Sequence, residues 1–154
     1  MQLFVSSYVM RFDKKGRVSV PAPFRTTLTA DGYPGLYLIP TLERTALDAG
    51  GNRLMAQFDA KLSALDPTSR EHDLLTAVFY GQSEIAGFDP EGRISLSERM
   101  RSLAGLTDQA VFVGKGHKFQ IWSPERHEAY LDTALDKARQ VLWGTDAASG
   151  GVSS

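Results

Sequence analysis

The sequence predicts a mostly β fold with helices, of the α+β class, built from two tandem copies of one unit. Three observations lead there. Residues 12–20 read FDKKGRVSV and residues 88–96 read FDPEGRISL, one pattern written twice, 76 positions apart. Beside each copy, apolar residues recur with the period of two that marks a half-buried strand. Further on, leucines recur at spacings of three and four, the mark of a helix face. A repeat of this kind bears on the whole fold. Two copies do not make a solenoid. They suit a pseudo-twofold pair of halves that interleave strands around one core.

Taken in order, Tyr8, Met10 and Phe12 alternate with Val9, Arg11 and Asp13, a strand with one apolar face. The turn DKKG follows. Asp at its first position and Gly at its fourth are type I preferences, with the glycine in the left-handed region. Arg17 and Ser19 then alternate with Val18 and Val20, so the copy is expected to open with a β-hairpin. Pro21 suits the start of a short helix over PAPFRTTL. GLYLIP at 35–40 and a shorter piece at 45–47 are the next strands. Leu54, Phe58, Leu62 and Leu65 give a helix, which Asp66-Pro67 breaks. Leu74, Leu75, Val78 and Phe79 form a linking helix towards Gly81.

The second copy repeats the plan. Its turn is DPEG, where the fixed φ of Pro90 suits the same geometry. Ser97 is a helix cap for SERMRSLA. AVFVG at 110–114 and KFQIW at 118–122 are strands around a Gly-Lys-Gly-His turn. A last helix follows Ser123-Pro124-Glu125, with Leu131, Leu135, Ala138 and Leu142 on one stripe. GTDAASGGVSS, 144–154, is expected to be disordered. The organisation expected is a first half at 4–65, a linking helix at 66–81, a second half at 82–143 and the tail at 144–154.

The chain has 154 residues, 42% apolar and 23% charged, ordinary proportions for a globular protein. No apolar run approaches the length of about eighteen residues that a membrane span needs. The start, MQLFVSSYVMRF, lacks the basic-then-apolar order of a signal peptide, and none is expected. There is no cysteine, which excludes disulfides, thiolate nucleophiles and cysteine-based metal sites. A cytoplasmic location is consistent with that composition.

Net charge is −1, so any nucleic-acid role must rest on a local patch. The two copies differ in charge. Residues 10–25 hold Arg11, Lys14, Lys15, Arg17 and Arg25 against Asp13, a net of +4. Residues 86–101 hold Arg93, Arg99 and Arg101 against Asp89, Glu91 and Glu98, a net of zero. Taken singly, D-x-x-G-R is ordinary turn chemistry. Its arginine adds something. Arg17 and Arg93 occupy the same place after each turn, on the face opposite the apolar residues. A β-ribbon with a basic outer face fits the major groove, where arginine pairs bidentate with guanine. Ser19 is placed to donate to phosphate.

DKKGRVSVPAPFR, DPEGRISLSERMRSLAGL and VFVGKGHKFQIWSPERHEAY together resemble the MraZ family, from about residue 4 to about residue 142. These bacterial proteins carry two tandem copies of the SpoVT/AbrB-type swapped-hairpin unit. The resemblance implies two such halves forming one pseudo-twofold β-barrel with flanking helices. It implies ring-shaped homo-oligomers that bind repeated sites in promoter DNA. It also implies a nucleoid-associated regulator of the division and cell-wall gene cluster, its own gene included. Carried onto this sequence, the DNA-reading arginine of the first motif falls on Arg17, its lysine neighbours on Lys14 and Lys15, and the second motif's arginine on Arg93. Glu91 beside phosphate is unfavourable, so the first copy is expected to contact double-stranded DNA more strongly. The second copy then serves mainly the core or a subunit contact. Asp13 and Asp89 are expected as turn-formers that orient the arginines.

An enzyme is the main rival. The histidines are His72, His117 and His127. His127-Glu128 has no second histidine four residues on, so the zinc-protease pattern fails, and no nucleophile elbow or phosphate loop is present. Gly114-Lys115-Gly116-His117 looks like a phosphate cradle but sits between strands, where a tight turn is the simpler reading. No catalytic residue, metal or cofactor is expected. A second rival is an assembly scaffold or a non-specific nucleoid DNA-coating protein. A scaffold has no reason to concentrate positive charge in one copy. Trp122, Trp143 and the apolar stripes suit core or subunit contact.

Overall fold

The computed structural model describes residues 2–144; the disorder expected for the tail concerns residues that, beyond Gly144, lie outside the described ones. The elements are β1 (Ser7–Arg11), β2 (Arg17–Ser19), α1 (Ala22–Ala30), β3 (Gly35–Pro40), β4 (Leu47–Gly50), α2 (Asn52–Ser63) and α3 (Arg70–Phe79). They continue with β5 (Glu84–Gly87), β6 (Arg93–Ser95), α4 (Glu98–Ala104), β7 (Gln109–Gly114), β8 (Phe119–Trp122) and α5 (Pro124–Trp143). The fold is α+β. The chain divides after Ser123 into the α+β body and α5.

Six strands form an antiparallel sheet in the order β1-β7-β8-β4-β3-β5, and β2 pairs with β6 in a separate ribbon. The order alternates between the two repeats. β1 of the first lies on β7 of the second, β7 on β8, β8 on β4 of the first, β4 on β3, and β3 on β5 of the second. The ribbon touches both edge strands, β2 lying near β1 and β6 near β5.

Both turns form as the sequence predicts. The Asp13 N–H donates to the Arg17 carbonyl at 2.8 Å, and the Gly16 N–H to the Asp13 carbonyl at 3.2 Å. The second turn has the same pair, Asp89 to Arg93 at 2.9 Å and Gly92 to Asp89 at 3.0 Å. Gly16 and Gly92 sit at φ +79° and +80°, a conformation that costs other residues energy. Beyond the turn, the two strands of each expected hairpin part. β1 pairs with β7, and β2 pairs with its own repeat counterpart, Val18 opposite Ile94. The physical reason is burial. An isolated two-stranded hairpin is marginal in water. The swap puts Val18, Val20, Ile94 and Leu96 at 0–3% exposure.

The strand expected at 45–47 starts later, at Leu47. The Thr41 hydroxyl accepts from the Thr45 and Ala46 N–H groups at 3.2 and 3.3 Å, and Arg44 adopts φ +58°. That local network holds 41–46 as a turn. Two helices start at serine caps. The Ser97 hydroxyl accepts from the Met100 N–H at 3.2 Å, and the Ser69 hydroxyl accepts from the His72 N–H at 3.1 Å, opening the linking helix α3. Phe58 of α2 stacks on Phe79 of α3 at 4.6 Å.

The core draws on both repeats. Phe4 and Phe24 meet Phe119 at 5.0 and 4.9 Å, and Phe112 meets Phe119 at 5.9 Å. Such ring pairs add to the burial of their large apolar areas. In α5 no residue is buried, and the predicted stripe of Leu131, Leu135 and Leu142 is exposed. Trp122 is buried and Trp143 exposed.

Because Ile94 is 1% exposed and faces Val18 across the ribbon, Ile94→Ala should lower the unfolding free energy by about 2–5 kcal/mol in urea denaturation.

Candidate nucleic-acid interface

The outer face of the β2–β6 ribbon is where the repeated motif places its charges. Residues alternate along each strand, so Val18 and Ile94 point inward while Arg17, Ser19, Arg93 and Ser95 lie on the other face. The pairing sets Arg17 opposite Ser95 and Ser19 opposite Arg93. The two arginines are therefore diagonal neighbours, each about one-third exposed. The Asp13 carboxylate reaches both, at 2.7 Å from Arg17 Nε and 3.7 Å from Arg93 Nη1.

Each aspartate organises its own turn. Asp13 Oδ1 accepts the Lys15 and Arg17 N–H groups at 2.9 Å, and Oδ2 accepts Arg17 Nε at 2.7 Å. Asp89 repeats this, taking the Glu91 and Arg93 N–H groups at 2.9 Å and Arg93 Nε at 2.7 Å. The Arg17 N–H bond, with help from the Arg17 side chain and the Lys15 N–H, draws Asp13 from its ordinary 3.8 to about 2. Asp89 is lowered in the same way, first by the Arg93 N–H. Both aspartates are turn-formers that fix their arginine at Nε.

The two arginines differ in what remains. Arg93 Nη2 is held by Glu91 at 3.1 Å, and Nη1 faces Asp13. Three carboxylates surround it, and the Asp89 bond first among them raises its pKa. Arg17 has Asp13 on its Nε. Among the described residues its two Nη groups have no partner, which leaves open a guanidinium fork of the kind that can pair with a guanine or a phosphate. Lys14 and Lys15 are exposed beside it on the tip of the turn. The structure thus gathers Lys14, Lys15, Arg17 and Arg93 on one ribbon, with Arg93 the more neutralised.

Arg25 and Arg101 stand 76 positions apart, like the two motifs, and take no individual role from the sequence. The structure crosses them between repeats. Arg101 lies over Gly16, where a Cβ would stand 3.3 Å from its Cζ, and Arg25 lies over Gly92, at 2.9 Å on the same measure. Arg101 Nε donates to the Leu96 carbonyl at 3.3 Å, and Arg25 Nη1 donates to the Val20 carbonyl.

The Gly-Lys-Gly-His turn is not a cradle. The Gly114, Lys115 and Gly116 N–H groups donate to the carbonyls of Ser6, Lys118 and Phe4 at 2.8–3.0 Å, so none points at an anion. His117 Nδ1 lies 3.3 Å from Arg53 Nη1, away from the ribbon. Among the described residues no group of three or more His, Asp or Glu could hold a metal ion.

Fold and site together define a class: a duplicated, strand-swapped α+β protein with arginines on the outer face of its ribbon. Comparison with known proteins gives the family. A family model described as "MraZ protein, putative antitoxin-like" matches residues 79–141. A transcriptional regulator MraZ from Xanthobacter autotrophicus is 52% identical over 92% of this chain and 90% of its own length. Those from Azorhizobium caulinodans and Methylocella silvestris are 47% and 48% identical, over 100% and 92% of this chain and 98% and 86% of their own. The chain belongs to the MraZ family.

Asp13 has a lower pKa folded than unfolded, so the stability it contributes is present above pH 3.8 and lost as pH falls through about 2. The Tm difference between the wild type and Asp13→Asn should therefore be full above that upper value and close across the interval, read by thermal melts at stepped pH.

Proposed function

We propose that this protein is a sequence-specific DNA-binding transcriptional regulator of the division and cell-wall gene cluster, working at the nucleoid as a ring-shaped homo-oligomer on repeated promoter sites. The observation that carries this reading is the unpartnered fork of Arg17 beside Lys14 and Lys15. In the major groove that fork has the geometry to take guanine O6 and N7, while the lysines and Ser19 meet phosphates. Arg93, clamped by Glu91, contributes less. The relatives named transcriptional regulators support the same function.

One protomer supplies few cationic contacts, each adding a slope of only about −0.9 to the salt dependence of binding. Assembly repeats the ribbon, so spaced sites are engaged together and apparent affinity multiplies. The exposed stripe of α5 supplies apolar surface for such self-association. The organisation proposed is two halves, 4–65 and 82–143, joined by 66–81. Among the described residues no helix is long and apolar enough to cross a membrane.

A fluorescence-anisotropy titration against the DNA directly upstream of the chain's own gene, with scrambled DNA as control at two salt concentrations, tests this. Tighter, salt-sensitive binding to the native DNA is expected; equal binding to both would sink the specific-regulator reading. Arg17→Ala should weaken specific binding roughly ten- to hundredfold, with the oligomer unchanged in light scattering. Glu91→Gln should instead strengthen binding, because it weakens the hold on one Nη of Arg93 and removes a charge that repels phosphate; anisotropy with the same DNA reads the change.

A further inference from the structure

Each repeat's turn is finished by the other repeat. Gly16 is buried beneath Arg101. The Gly16 carbonyl accepts the Leu96 N–H at 3.3 Å, and the Leu96 carbonyl accepts Arg101 Nε at 3.3 Å. Arg101, Leu96 and Gly16 thus form one closed link from α4 to the tip of the first turn. The second link is its mirror: the Gly92 carbonyl accepts the Val20 N–H at 3.2 Å, and Arg25 donates to the Val20 carbonyl while lying over Gly92. Both arginines are half-buried. A planar guanidinium can cover a bare glycine and bond a carbonyl at once; a lysine ammonium on a flexible stem cannot.

We infer that Arg101 is a positioning residue for DNA reading: from the second repeat it fixes the Gly16 turn and so holds Lys14, Lys15 and the Arg17 fork in register with the duplex, while Arg25 does the same for the Glu91-neutralised turn. This rests on the DNA reading proposed above. A binding group must be held by a locked supporting shell to keep its geometry. The two links are structurally equivalent, yet only one supports the open arginine. Structural loss and functional loss therefore separate.

The test compares Arg101→Ala with Arg25→Ala, each measured by thermal melt and by anisotropy on native upstream and scrambled duplexes. Similar losses of Tm are expected. Arg101→Ala should weaken preferential binding about five- to tenfold and Arg25→Ala by less than about twofold, a fraction of the bidentate pair's worth. Equal losses of affinity in the two variants would overturn the inference, leaving both arginines as struts of the fold. Arg101→Lys should bind as poorly as Arg101→Ala; recovery of wild-type affinity would mean a direct phosphate contact and would also overturn it. Should the alanine variants not fold, Arg101→Gln against Arg25→Gln is read by the same criterion. Arg17→Ala is run alongside. If Arg17→Ala keeps wild-type affinity, the DNA reading itself has failed and this inference falls with it; if it loses affinity while the Arg101 and Arg25 variants match, only this inference fails.

Discussion

The pairing of β2 with β6 is the constraint on which the rest depends. Three residues from each repeat pair across the ribbon, with Val18 against its own counterpart Ile94 at the centre, and that antiparallel match makes the pseudo-twofold relation between the halves physical. Each half keeps one strand pair of its own, β3 with β4 and β7 with β8, and hands its remaining strands to the other half. β1 goes to β7 and β5 to β3, and the sheet alternates between repeats from edge to edge. The inward residues of the ribbon join the phenylalanine cluster in one core. Burial of these apolar side chains is the main favourable term for such a body.

The same pairing creates the outer face. Side chains alternate across a strand, so burying Val18, Val20, Ile94 and Leu96 fixes Arg17 and Arg93 on the opposite side without further instruction. Register makes them diagonal neighbours rather than direct opposites, which spares two like charges the closest approach and lets Asp13 lie between them. The Arg17 and Arg93 N–H groups bond the two carboxylates first, and each guanidinium adds to that hold, so the pKa values of Asp13 and Asp89 are lowered.

Two copies of one motif have diverged around this symmetric frame. DKKG and DPEG close with the same hydrogen bonds, yet Glu91 occupies Arg93 where the first turn has Lys15 and an open Arg17. The crossed arginines leave that charge balance unchanged, one guanidinium standing in for the other. Arg101 comes to the basic first turn and Arg25 to the acidic second, so each tip carries one charge that a count along the chain assigns to the other. The symmetric frame thus carries unlike tips, Lys14 and Lys15 on one and Pro90 and Glu91 on the other.

Much of this was legible in the residues alone. The repeat, the type I turns with left-handed glycines, the alternation in 8–12 and 17–20, the Ser97 cap and the basic bias of the first copy are local matters. Turn preference, strand period and capping act over a few residues, and a sequence displays them directly. What the residues could not show is which strand each turn hands its chain to. A D-x-x-G turn reads as a hairpin from its own neighbours, and only the greater burial in the swapped arrangement decides that β2 leaves β1 for β6. The covering of Gly16 by Arg101 and the approach of Asp13 to Arg93 are likewise outcomes of packing between distant segments. The sequence determined the parts and their charges; the tertiary structure decided which parts meet, because apolar burial and ion pairing depend on neighbours in space rather than along the chain.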